Sequence, residues 1–350
     1  MIMEARAAAG ERPRRGLAQS EGERAHMEFS GILTALFKLF FSLAAGYTLN
    51  KIGLLDARSN KGMTSLVVNL TSPALILGSL SSTGAVTEGE VLTLFLFGVG
   101  MYLLLPAAAF LFTRIAGVKR PKRGVAELLL IFGNTGFMAI PILQALYGDV
   151  AVFYSNILNM PFNFLIYTYG IYLLRRDRRA ASPEEGDAIP GGQTPASRFS
   201  WKSFLTPGIL ASAVALLMYF THLQFPAFLG ETFSFVGGVT PPLSMLITGS
   251  ILAEYPLKNL FGEVRIKLLL TGKLLLFPAA ALLLAKLFFQ NSDLVGLIAL
   301  TFAMPSGSMC AMLSKEYQSN TDVASGGVVF STVLSLLTIP LVYFALARFF

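Results

Sequence analysis

The chain is poor in almost everything from which enzymes build reaction centres. It holds one cysteine, Cys310, and two histidines, His26 and His222, in 350 residues. A single thiol forms no intrachain disulfide, and Cys310 reads as a small packing residue. No HExxH, no CxxC and no Ser-His-Asp set occurs, so metal-dependent or nucleophilic catalysis lacks its parts and no cofactor is expected. Charge is scarce too. Asp, Glu, Lys and Arg make up 13% of the chain, against about 25% in soluble domains. No acid lies deep in any apolar run, since Glu127 and Glu254 sit near run ends. The net charge of +7 is carried by short loops rather than by a basic, aromatic-studded surface, so no nucleic-acid partner is expected.

What fills the chain is apolar: 54% of it is hydrophobic. Runs of about 20 apolar residues cross a hydrocarbon core of about 30 Å. Such runs lie near 31–50, 62–81, 91–113, 125–147, 151–174, 203–221, 234–254, 264–288, 293–314 and 322–347. They are continuous rather than alternating, which predicts helices and not barrel strands. The expected fold is an all-α integral membrane protein of ten transmembrane helices, with the lipid bilayer as its surroundings.

The runs repeat. LLLPAAAFLFTRIAG (103–117) returns as LLFPAAALLLAKLFF (275–289), FGNTGFMA (132–139) lies over AMPSGSMC (303–310), and Asp149-Val150-Ala151 over Asp322-Val323-Ala324. Three matches in one order at nearly one offset mark a duplicated membrane unit, the sign of a transporter. The expected division is a polar tail at 1–27, a first five-helix repeat at 28–174, a cytoplasmic linker at 175–202 and a second repeat at 203–350. An odd number of spans per unit inverts the second copy relative to the first.

Basic residues cluster in alternate loops: Lys51, Arg58 and Lys61; Arg114, Lys119, Arg120, Lys122 and Arg123; Arg175, Arg176, Arg178, Arg179, Arg198 and Lys202; Lys258, Arg265 and Lys267; Lys315. The intervening loops carry acids such as Glu88, Asp149, Glu231 and Asp293. The positive-inside rule then places both termini outside a plasma or inner cell membrane. The arginines of residues 1–26 oppose this, are nearly cancelled by neighbouring acids, and precede Met27 at the edge of the first span. The tail therefore reads as an upstream misread of the start.

Candidate binding residues come from the interruptions. FGNTGFMAIP (132–141) puts Asn134, Thr135, Gly136 and Pro141 inside an apolar span, and FAMPSGSMC (302–310) puts Pro305, Ser306 and Ser308 in the matching span. Glycine and proline weaken a helix, and freed peptide groups are tolerated in lipid only where they find partners or line a cavity. Either break alone reads equally well as a packing kink; two in register favour a midplane site. A second matched pair, VNLTSPALIL (68–77) and VTPPLSMLITGS (239–250), adds Asn69, Ser72 and Ser244 as candidates for the opposite wall, although such hydroxyls often bond their own helix. Lys273 and Lys38 are the deep basic residues; either is functional or snorkels to an interface. Half-helix N-termini, hydroxyls and one lysine suit an anion.

These segments resemble the auxin efflux carrier family, which includes plant carriers and bacterial malate and malonate permeases. GNTGFMAIPILQALYG (133–148), NLTSPALIL (69–77), TPPLSMLITGSILA (240–253) and STVLSLLTIPL (331–341) carry the resemblance, which covers residues 28–350. It implies inverted repeats, crossing of the broken fourth and ninth spans at Asn134, Pro141 and Pro305, and a scaffold of spans 1, 2, 6 and 7 against which the others move. It also implies homodimers. The second half departs from the pattern, with Met304-Pro305-Ser306 where a copy of Gly133-Asn134-Thr135 would stand. The resulting expectation is a secondary permease of small organic anions, mono- or dicarboxylates such as malate. The alternatives are a sodium-coupled carrier like the bile-acid symporters, or an anion channel.

Overall fold

A computed structural model describes residues 34–84, 86–181, 206–254 and 263–349. The polar tail, its candidate start at Met27 and most of the expected linker lie outside the described residues. Twelve helices are described: α1 (34–51); α2 (Ala57–Ser82), α3 (Glu88–Ile115); α4 (Arg123–Ile131); α5 (Thr135–Tyr147), α6 (Val150–Ala181), α7 (Pro207–Phe220), α8 (Ala227–Glu254), α9 (Val264–Phe288), α10 (Ser292–Phe302); α11 (Ser308–Glu316); and α12 (Thr321–Phe349). Among the described residues, no strand forms beyond one isolated bridge. The protein is a multi-pass, all-helical membrane protein. Six helices, α2, α3, α6, α8, α9 and α12, are long and apolar enough to cross a membrane unaided.

Local chemistry sets the boundaries. Asp56 accepts the Ser59 N–H at 2.7 Å and caps α2, which holds its carboxyl below the usual carboxylate range. Thr87 and Glu90 form a capping box at the start of α3. Thr206 caps α7 and Pro207 follows in the first turn, so that helix starts later than the expected 203. Two prolines sit just behind a widened turn: Pro73 follows the π-helical Val67–Thr71 and Pro141 follows the π-helical Thr135–Ala139. A proline ring collides with the carbonyl four residues earlier, and a π turn there opens the space.

The helices gather into two bundles. In the first, α2 packs on α7 and on both parts of α8, and α1 lies along α8 with Gly249 against the Leu43 backbone. Gly237 of α8 meets Leu75 so closely that a Cβ there would stand 2.5 Å from the Leu75 Cα. The second bundle is made of α3–α6 and α9–α12, and its contacts recur in pairs. α3 packs on α4 and α6 as α9 packs on α10 and α12, α5 packs on α6 as α11 on α12, and α4 meets α12 as α10 meets α6. Most of the large buried side chains belong here, among them Phe132, Phe153, Leu128, Leu129 and Met138. The bundles meet where the end of α8 crosses α5 and where α2 reaches α6.

Candidate functional site

The site grows from two gaps in the helices. Residues 132–134 separate α4 from α5, and the longer stretch 303–307 separates α10 from α11. The two gaps pair with each other as an antiparallel bridge between Gly133 and Ser306. The Asn134 N–H donates to the Pro305 carbonyl at 2.7 Å, and the Gly307 N–H donates to the Phe132 carbonyl at 3.0 Å. Each broken helix thus supplies the backbone partners the other has lost, which is how a break survives in hydrocarbon.

Behind this bridge lies a polar knot. The Leu129 carbonyl, freed by the end of α4, accepts from Lys273 Nζ at 2.8 Å and from Ser306 Oγ at 2.7 Å. Ser331 Oγ accepts the Ser306 N–H at 3.1 Å. Lys273 is 3% exposed, and its ammonium offsets the partial negative charge at the C-terminus of α4. The Cys310 thiol sits 3.6 Å from the Phe132 carbonyl in the same knot. A second buried cluster ties the other end of α4 to α6: Arg176 pairs with Glu127 at 3.0 Å, and Asp177 Oδ2 accepts the Val125 N–H at 3.0 Å. Lys122 offers no side-chain cap there, so Asp177 caps α4 from a neighbouring helix.

In front of the bridge, between the two bundles, lies a cavity that spans about 350 Å³, open solvent included. Its polar lining is Asn134, Thr248, Ser308 and Thr332, and its apolar walls are Phe137, Ile247, Ile251, Leu252, Val328 and Val329. No charged side chain lines it. The Asn134 Oδ1 accepts the Phe137 N–H at 3.3 Å and caps α5. Thr248 and Thr332 donate back to the Ser244 and Val328 carbonyls, both at 2.8 Å. α11 begins differently, because its N-cap, Gly307, is extended and carries no side-chain cap. Among the described residues, no group of three His, Cys, Asp or Glu side chains is placed to hold a metal ion.

Of the residues singled out in the sequence, Asn134 and Ser308 line the cavity. Thr135 and Pro141 are buried in α5 beside it, and Gly136 is exposed. Pro305, Ser306 and Lys273 build the bridge and the knot rather than the wall. Ser244 is buried one turn before Thr248, its hydroxyl without a partner. Asn69 is exposed and bonds the Ser65 carbonyl and hydroxyl on its own helix, and Ser72 is half-buried in α2; neither lines the cavity. Lys38 is exposed. The residues sequence reasoning passed over, such as Phe137, Ile247, Val329 and Thr332, are ordinary helix residues. For Phe137, Ile247 and Thr332 the only signal is that they lie in the segments that carry the family resemblance, and Val329 lies just before one of them.

A sequence profile described as membrane transport protein matches residues 31–343. The chain belongs to the membrane transport protein family. This is the auxin efflux carrier group that the sequence resembles, and the protein is a transporter rather than an enzyme. It is similar to an uncharacterized transporter of Methanothermobacter thermautotrophicus, 22% identical over 320 residues that cover 90% of this chain and 98% of that protein. It is also similar to an uncharacterized transporter of Methanocaldococcus jannaschii, 22% identical over 310 residues covering 85% and 92%. Family membership thus rests on nearly the whole chain, both bundles included.

Proposed function

We propose that this protein is a secondary permease of small organic anions, mono- or dicarboxylates, working by alternating access across the cell membrane. The observation that carries the reading is the Gly133–Ser306 bridge between two broken helices, set beside a cavity between two bundles. Interrupted helices paired near a cavity are the arrangement by which transporters bring backbone dipoles to a ligand. In this reading α4 with α5, and α10 with α11, each make one interrupted span. The total is ten spans in two inverted repeats, with both termini outside. The recurring pairs of helix contacts support the repeat. The bundle of α1, α2, α7 and α8 is the fixed frame, by which two copies associate, and the other bundle moves against it. The cavity lies on the surface where they would slide.

Asn134 is the residue whose loss tests the reading. Its amide Nδ2 donates no hydrogen bond within the protein while its Oδ1 caps α5, so the group is available to a carboxylate. Losing a buried polar partner costs about 1–3 kcal/mol, equivalent to a roughly five- to hundred-fold loss of affinity. In proteoliposomes given a panel of radiolabelled carboxylates, we expect saturable uptake that Asn134→Ala reduces by that factor at matched protein amount. Uptake at wild-type affinity and rate by Asn134→Ala would move the site elsewhere. Flux that does not saturate would favour a channel, and dependence on a sodium gradient would favour the sodium-coupled alternative.

A further inference from the structure

The helices that lead into the two breaks end differently. α10 closes its own last turn: the Ala303 N–H donates to the Ala299 and Leu300 carbonyls, both at 3.1 Å, and the Met304 N–H to the Thr301 carbonyl. Tightening of this kind satisfies end carbonyls from within the helix. α4 does not tighten. Its C-cap, Phe132, is already extended, with φ −99° and ψ 99°, and donates to the Leu128 carbonyl. The Asn134 N–H is turned across the bridge to Pro305. Among the described residues, no main-chain N–H donates to the Leu129 carbonyl. Its donors are the side chains of Lys273 and Ser306.

The duplicated sequence shows the same inequality. The offset that lays Leu103 on Leu275 lays Met101 on Lys273, so the first half has a buried, neutral side chain where the second has a cation. Tyr102, beside Met101, meets Phe302 at the end of α10 with ring centres 6.1 Å apart. The helix end that caps itself is thus covered by apolar groups, and the one that does not is covered by an ammonium.

Neutral oxygens hold that ammonium. Lys273 Nζ lies 2.8 Å from the Leu129 carbonyl oxygen and 3.4 Å from Ser306 Oγ, with Ser331 Oγ one hydrogen bond further on. Among the described residues, Lys273 pairs with no carboxylate. Its charge is met instead by the negative end of the α4 dipole. Freed carbonyls, hydroxyls and the C-terminal end of a half-helix are the surroundings in which transporters hold a small cation. Here a tethered ammonium, a compact charge with three donors, occupies that place.

We infer that the knot behind the bridge is a monovalent-cation site filled by the protein's own Lys273, so that the crossing holds together without sodium. Lys273 is then a positioning residue: it fixes the end of α4 and touches no solute. The inference holds whichever solute the cavity takes.

The test follows thermal unfolding of the purified full chain in sodium, potassium, methylammonium or choline chloride at one concentration, since a ligand bound only to the folded state raises its stability. The wild type is expected to melt at the same temperature in all four. Lys273→Ala, which empties the place of the ammonium, should melt lower in choline. It should recover by at least about 2 °C in methylammonium and in sodium or potassium, with a response that saturates. Lys273→Met, whose apolar chain fills the same space, should melt lower and recover in none. Should Lys273→Ala give no folded protein in choline, the yield of monodisperse protein extracted in each salt replaces the melting temperature under the same criteria. A wild type stabilised by sodium or potassium over choline would show that Lys273 does not fill the site. Lys273→Ala as stable as wild type in choline, or rescued by no cation, would remove the site itself. Recovery in methylammonium alone would reduce Lys273 to a hydrogen-bond donor, and equal recovery of Lys273→Met would place the cation elsewhere; either overturns the inference.

Discussion

In the bundle of α1, α2, α7 and α8, helices meet backbone to backbone: Gly249 rests on Leu43 and Gly237 on Leu75. In the bundle of α3–α6 and α9–α12 such contacts occur too, with Gly98 on the Leu158 carbonyl and Gly124 on the Leu173 carbonyl, but they are joined by large side chains, as where Phe132 stands edge-on to Phe162 with ring centres 5.3 Å apart. The first bundle is thin. Both bundles turn apolar side chains outward, as suits surfaces facing lipid, with Phe235 83% and Leu287 74% exposed, but the largest fully buried side chains, such as Phe132 and Phe153, lie in the second. The second is thick enough to enclose Glu127, Asp177, Lys273 and both helix breaks. The difference follows from the solvent. In hydrocarbon, close helix approach through small residues gains dispersion with no polar groups at risk. Broken backbone and buried charge need partners on every side, so they require the thicker body.

The largest effect that could break this comparison is at Gly249. A leucine there would drive its side chain into the Leu43 carbonyl. Overpacking against side chains costs typically about 1–3 kcal/mol, but here a Cβ alone would stand 1.8 Å from the Leu43 carbonyl oxygen, and because backbone cannot yield as side chains do, the loss exceeds that of the changes below. Gly249→Leu should therefore leave little monodisperse protein after detergent extraction, read by size-exclusion profile. Normal extraction would mean that this bundle does not depend on backbone contact.

Next in size is Glu127→Ala, which strips the partner from Arg176, whose side chain is 15% exposed. Breaking a buried ion pair from one side costs about 3–5 kcal/mol, so the melting temperature should fall clearly. The double change Glu127→Gln, Arg176→Met should recover most of the loss, because no charge is then left unpaired. A single mutant as stable as wild type would show that the thick bundle tolerates open charge.

The smallest effect is expected for Asn69→Ala. Asn69 is exposed and bonds only within its own helix, so stability should change by less than about 0.5 kcal/mol, with transport unaltered. A transport defect as large as that of Asn134→Ala would extend the site to α2.

The breaks were legible in the sequence because glycine and proline disrupt helices wherever they stand, and GNTG and PSGS stand in matching runs. That those breaks cross was implied only by the family resemblance, and the bond pattern of their pairing was not legible at all. A bridge between Gly133 and Ser306 depends on the depth and direction at which two distant helices cross, and neither residue type encodes that. Asn69 illustrates the opposite error. A polar residue before a proline looks like a lining residue, but which face it occupies depends on the π turn at Val67–Thr71, which shifts the helical phase. Arg176 was read as one of several topology-setting charges, and nothing in RRDRR marks which arginine turns inward to Glu127. The aliphatic cavity wall was equally silent, since valine and isoleucine are everywhere in such a chain.

The bridge also constrains the order in which the molecule is made. The chain enters the membrane from its N-terminal end, so α4 and α5 are in place before Pro305 and Gly307 have been synthesised. Until then the Phe132 carbonyl and the Asn134 amide have no partner from the second half, and in hydrocarbon each open group costs several kcal/mol. The nascent first half must therefore keep this gap beside water or the insertion machinery. The arrival of α10 and α11 is what lets it close.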